Sequence, residues 1–222
     1  MKLIKKGFKV LLIILSLLLA LVIGLFIFLL IESPGKPEPF LNSEGGPIKG
    51  SISEKVFVDI GGVKQGMFIM SKNTGNPVLL YVHGGPAFPN YFLIDKYKPG
   101  LEDYFTVCYW EQRGGGLSFS PEVTVQSMTF EQLSADAIEV THYLSKRFGK
   151  DKIYIMAHSG GTPIALLAAA RAPQLFHAYI AMAQITHQLE SEKIAYKYLL
   201  QKYAALGNKK AVNELLAYKV FQ

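Results

Sequence analysis

Residues 152–171 read KIYIMAHSGGTPIALLAAAR, and this stretch decides the fold. Lys152 to Met156 reads as a short buried strand. Thr162 to Arg171 is rich in Ala and Leu, which favours a helix. Between them stands Ala157-His158-Ser159-Gly160-Gly161. A sharp strand-to-helix turn presents a serine hydroxyl at the top of a sheet. Positions two residues to either side must be small there, because the two backbones converge. Gly161 meets that demand, and Ala157 adds only a methyl group. The helix that follows aims its N-terminus at the reacting centre, where it favours developing negative charge. Ser159 is therefore the candidate catalytic nucleophile. The plain alternative is a glycine-rich loop with an incidental serine.

Working outward, Glu54 to Met70 reads as a hairpin turning at Gly61-Gly62. Val78–Val82 and Phe105–Trp110 are continuous apolar runs, as expected of strands buried on both faces. Thr129 to Phe148 is the clearest helix, with Phe130, Leu133, Ala137, Val140, Leu144 and Phe148 on one stripe. Thr129 and Gln132 fit a capping box, and Gly149 fits a stop signal. Ala178–Met182 is a further strand, and residues 188–218 read as helix broken at Gly207-Asn208. A hairpin followed by alternating strands and helices predicts an α/β sheet that becomes parallel. In such sheets the chemistry sits on loops at the carboxyl ends of the strands.

Two further loops lie at that end. His83-Gly84-Gly85-Pro86 follows the strand ending at Val82, and its glycines allow backbone N–H groups to turn toward a ligand oxygen. Acyl transfer needs two such donors where the oxyanion forms, and Gly85 and Gly160 are the candidates. His83 is read as structural, hydrogen-bonding the loop, rather than as a base. The third loop, after Trp110, carries Glu111, Gln112 and Arg113 before three glycines, and is read as shaping the site.

Together these loops resemble the α/β-hydrolase fold, and within it the proline iminopeptidase-like branch, serine peptidase family S33. That branch carries an HGGPG loop, a DQRGxGxS segment and a GxSxG elbow in that order. Here they stand as residues 83–87, 111–118 and 157–161. The resemblance covers about Ser51 to the end. Ala87, Glu111 and Ala157 depart from the pattern, as does Gly160, where an aromatic is frequent. Gly160 keeps its N–H and widens the pocket floor. The resemblance implies an aminopeptidase that cleaves N-terminal residues from peptides through an acyl-enzyme on Ser159, with a peptide or small acyl substrate and no cofactor. A carboxylesterase and a non-catalytic surface binding protein are the alternatives.

The resemblance also implies an Asp or Glu and then a His, in that chain order after the serine. Only 63 residues follow Ser159, which is too short for the two strand–helix units that would carry them, so truncation of a longer hydrolase is the expectation. His187 lies at the correct end of the sheet, but its nearest acids, Glu190 and Glu192, sit on its own helix. Those two and Glu214 are read mainly as solvated helix faces, and alternatively as cap carboxylates for a substrate's amino group.

Composition narrows the rest. With 50% hydrophobic and 18% charged residues the chain is not disordered. Its one cysteine, Cys108, excludes an internal disulfide and a cysteine zinc cluster, and no metal site is expected. The net charge of +6 owes four lysines to residues 1–9, and nineteen basic against seventeen acidic residues remain elsewhere. This terminal basicity does not suit a nucleic-acid surface. From Val10 through Ile31 there is no charged residue. As a helix that run extends about 33 Å, enough for a hydrocarbon core of about 30 Å. Lysines before it and Glu32 after it predict an uncleaved anchor in the lipid bilayer with the N-terminus inside. The alternatives are a cleaved signal peptide and a buried core helix. The expected organisation is a cytoplasmic basic tail (1–9), a transmembrane anchor (10–31), a Pro/Gly-rich spacer (32–49), an incomplete hydrolase core (50–183) outside the membrane and the start of a helical cap (184–222).

Overall fold

The computed structural model describes residues 2–32, 35–85 and 88–218. Helix α1 (Lys2–Glu32) contains one stretch, Gly7–Glu32, that is long and apolar enough to cross a membrane, and none of that stretch is buried against the protein. Ser33 and Pro34, at the start of the expected spacer, lie outside the described residues. Farther along that segment the chain touches the folded domain. Phe40 packs on the sheet, Leu41 bridges Pro47, and the Ser53 hydroxyl donates to the Glu38 carbonyl at 2.5 Å.

Strands β1 (Ile52–Ile60) and β2 (Val63–Ser71) form the hairpin, with Gly61 and Gly62 at φ +55° and +76° in its turn. Strands β3 (Val78–Val82), β4 (Thr106–Trp110), β5 (Ile153–His158) and β6 (Phe176–Met182) complete a six-stranded mixed sheet in the order β1-β2-β4-β3-β5-β6. The first two contacts are antiparallel and the last three parallel. The carboxyl ends of β3, β4 and β5 therefore lie side by side, and the three loops of interest leave the sheet from the same edge.

Alternation along the central strands divides the core in two. Leu80, Val82, Cys108, Trp110 and Ile155 face helices α3 (Phe130–Phe148) and α4 (Gly161–Arg171). Leu79, Tyr81, Val107 and Tyr109 face the other side, where Phe40, Tyr91 and Ile94 pack. Helix α3 has the expected cap: the Gln132 N–H donates to the Thr129 hydroxyl at 3.1 Å, and Gly149 closes the helix at φ +60°. Leu133, Ala137, Val140 and Leu144 are buried as the stripe predicts. Phe130 is not, being 52% exposed at the end of the helix that overlies the loops. The short helix α2 (Tyr91–Tyr97) has no counterpart in the sequence reading. It spans seven residues between Pro89 and Pro99, too few for a periodic signal. Helices α5 (Gln188–Ala205) and α6 (Lys209–Ala217) contain no buried residue.

A buried polar network ties the hairpin, α3 and the loop after β4 together. Arg113 donates from Nε and Nη2 to the two carboxylate oxygens of Asp136, at 2.8 and 2.9 Å, and from Nη2 to the Gly61 carbonyl at 2.8 Å. Gln65 and Gln132 donate to the same carboxylate at 2.8 Å each, and the Trp110 indole N–H donates to Gln65. Burying this pair is tolerable because so many donors surround the carboxylate. Arg113→Met leaves Asp136 with a buried charge and only amide donors, so it is expected to cost about 3–5 kcal/mol in chemical denaturation. The double variant Arg113→Met/Asp136→Leu, which removes both charges, should recover part of that loss. A single variant as stable as the parent would contradict the network's role.

Candidate active site

Ser159 occupies the turn between β5 and α4 at φ +49°, in the left-handed region that a serine adopts at a cost of about 1–3 kcal/mol. Three hydrogen bonds hold it there. Its N–H donates to the Met182 carbonyl at 2.9 Å, and its carbonyl accepts from the Thr162 N–H at 2.9 Å and from the Thr162 hydroxyl at 2.6 Å. Thr162 is fully buried and also accepts from the Ile185 N–H at 3.0 Å. It thus locks the elbow to the chain leaving β6. Sequence reasoning did not single out Thr162. Its only signal was a hydroxyl residue in the first turn of the helix.

The glycines of the elbow and of the loop after β3 interlock. A β-carbon on Gly161 would lie 2.4 Å from the His83 carbonyl oxygen and 2.5 Å from that of Val82. One on Gly160 would lie 3.0 Å from the Gly85 nitrogen, and one on Gly84 would lie 2.8 Å from the His158 carbonyl oxygen. Gly85 itself sits at φ +62°. The structure therefore brings Gly85 and Gly160 into contact beside Ser159. Among the described residues neither glycine N–H has a hydrogen-bond acceptor, and neither has the Ser159 hydroxyl a partner. Gly160 also stands at the N-terminus of α4 with no side chain capping it.

His83 is buried and both its ring nitrogens are engaged. Nε2 accepts from the Gln112 N–H at 3.1 Å, which leaves the proton on Nδ1 to donate to the Gly84 carbonyl at 3.0 Å. Burial lowers its pKa below the ordinary histidine value, so the ring stays neutral in this role. The Gln112 carboxamide returns a hydrogen bond to the His83 carbonyl at 2.7 Å. These bonds splice the loop after β4 onto the loop after β3. Glu111 faces away from the serine. Its carboxylate accepts from the Leu117 N–H, its carbonyl accepts from the Ser118 hydroxyl, and burial raises its pKa. Ser118 in turn accepts from the Gly66 N–H on β2 at 2.8 Å. Arg113 points down into the network with Asp136. Glu111 and Arg113 thus brace the third loop, while Gln112 alone of the three reaches the mouth. Pro86 and Ala87 lie outside the described residues.

None of the downstream candidates is hydrogen-bonded to the serine. His187 precedes the first turn of α5 and makes no hydrogen bond to Ser159. Glu190 pairs with Lys193 at 3.9 Å and Glu192 accepts from Gln188 at 2.7 Å, both along the surface of α5. Beside the two free amides opens a cavity of about 260 Å³ with Gly85, Gln112 and Gly160 on one side. Met128, Phe130, Leu133 and Ile164 form the rest of its wall. That placement explains why Phe130 leaves the core stripe.

Comparison with known proteins agrees with this architecture. Residues 77–216 match the alpha/beta hydrolase fold family, and the chain belongs to it. It is 38% identical over 153 residues to a protein of Bacillus subtilis (strain 168) named "Probable aminopeptidase YbaC", a match covering 69% of this chain and 48% of the relative. The chain thus spans about half the length of that relative. Among solved structures, a proline iminopeptidase-related protein of Thermus thermophilus superposes with a TM-score of 0.52 at 24% identity, over 75% of this chain and 57% of that one. Epoxide hydrolase A of Mycobacterium thermoresistibile gives 0.50 at 21% identity, over 64% and 44%. These two likenesses speak to the fold.

Proposed function

We propose that the chain is the membrane-anchored, extracytoplasmic body of a serine hydrolase of aminopeptidase type, with Ser159 as nucleophile and the Gly85 and Gly160 N–H groups as oxyanion donors. The observation that carries the reading is the strained serine beside two adjacent backbone N–H groups that have no acceptor among the described residues. Attack by the hydroxyl on a substrate carbonyl would place the new oxyanion where those donors and the α4 N-terminus act together. The aminopeptidase name of the relative supports a peptide substrate whose N-terminal residue is released.

Ser159 needs a base, because an unassisted serine hydroxyl is a weak nucleophile. In a serine protease, loss of the histidine costs about a millionfold in turnover. No described residue is hydrogen-bonded to the Ser159 hydroxyl, and this favours a second reading in which the 222-residue chain binds without turnover. One experiment addresses both. The chain, and the same chain continued with C-terminal sequence taken from its relative, are treated with a fluorophosphonate probe and with Pro-β-naphthylamide. The continued chain is expected to label and to turn over, and Ser159→Ala in it to abolish both. The 222-residue chain is expected to do neither. A continued, folded chain that neither labels nor turns over contradicts the hydrolase reading. Labelling of the shorter chain at Ser159 contradicts the binding reading and makes His187 the first residue to replace.

The anchor is proposed from the exposed apolar stretch Gly7–Glu32 and the lysines before it. Protease added outside intact cells should then digest the soluble domain. Survival of the domain until the cells are lysed would contradict this orientation.

A further inference from the structure

The cavity beside the two free amides has walls of one chemical kind. Met128 comes from the turn before α3, Phe130 and Leu133 from α3, and Ile164 from α4. Among the described residues no ionisable side chain lines it. The one polar side chain among the described lining residues, Gln112, is buried, uncharged, and gives one of its carboxamide N–H groups to the His83 carbonyl. A charged group entering the cavity would lose its hydration and find no counter-charge, whereas an apolar group loses nothing polar. Size adds a second limit. An apolar cavity of about 150 Å³ is known to accept benzene. At about 260 Å³ this one takes an isobutyl or benzyl group with room to spare. Met128 supplies a flexible wall that adapts to either shape.

Gly85 and Gly160, whose N–H groups would hold the reacting carbonyl, are themselves part of the wall. A group in the cavity is therefore attached within a few bonds of that carbonyl. The space depends on position 160 having no side chain. Any β-carbon there would start 3.0 Å from the Gly85 nitrogen, and a larger residue would grow between two wall residues.

We propose that this cavity seats one uncharged apolar side chain, of leucine to phenylalanine size, beside the scissile bond, and so makes the site selective for peptides carrying such a residue there and closed to lysine or glutamate. The proposal rests on the acyl-hydrolase reading of Ser159, and its test is built to fail separately from that reading. The full chain carrying Ser159→Ala is placed in lipid nanodiscs with its methionine methyl groups labelled with carbon-13. The Met128 signal is assigned by its loss in Met128→Leu. N-acetyl-phenylalaninamide and N-acetyl-leucinamide should each shift the Met128 methyl saturably. N-acetyl-lysinamide should bind at least about tenfold more weakly, consistent with the cost of desolvating an unpaired charge. Ile164→Trp, which fills the cavity from the α4 side, should abolish the shift. Gly160→Trp, one helical turn away on the same face of α4, should do the same, and the buried Met67 methyl reports whether each variant is folded. Equal or tighter binding of the lysine compound overturns the proposal. So does a Met128 methyl that no apolar amide moves in a folded chain, or a shift that survives a folded Ile164→Trp. With the nucleophile removed, none of these results bears on whether Ser159 is reactive.

Discussion

The approach of α4 to β3 is the constraint on which the site depends. At Gly161 the helix backbone stands so near the Val82 and His83 carbonyls that a single methyl group would overlap both. This contact fixes the angle at which the chain leaves β5, and the angle forces Ser159 into the left-handed region. It also carries Gly160 onto Gly85. Two glycines from segments 75 residues apart in sequence thereby meet and line one cavity. Any side chain at 161 would push the helix and the loop apart, so this glycine works through space rather than through flexibility.

The surrounding polar groups hold that arrangement from outside. Thr162 clamps the serine carbonyl, and neutral His83 with Gln112 joins the first loop to the third. Arg113 and Asp136 then fasten the third loop to the hairpin and to α3. Glu111 and Ser118 secure its far end to β2. Each bracing group is buried and hydrogen-bonded within the protein, whereas the Ser159 hydroxyl and the two glycine amides have no partner among the described residues.

Much of this was legible in the residues. The hairpin, the buried strands and the α3 stripe follow from periodicity and turn chemistry, which are local. The elbow is legible because its demand for small neighbours is also local. What escaped was non-local. Arg113 and Asp136 are 23 positions apart, and Gln65 meets Asp136 across 71, so no spacing rule connects them. Arg113 and Glu111 border the site in sequence, and their side chains turn inward to brace the loop there, which no local pattern shows. Phe130 fits the helical period but overhangs the end of the sheet, where there is no core to cover it. Helix α2 was invisible because seven residues carry too little pattern.

The central claim is that the Gly85 and Gly160 amides converge as free donors on one oxygen-sized position. Acetate titrated into the chain labelled with nitrogen-15 at glycine tests it directly, because a carboxylate oxygen stands in for the oxyanion. The amide protons of Gly85 and Gly160 should move downfield together with one dissociation constant. Those of Gly149 and Gly207, which already donate to the Ser145 and Ala204 carbonyls, should stay in place. Amides of Gly85 and Gly160 that do not respond, or that respond with different dissociation constants, would contradict the account.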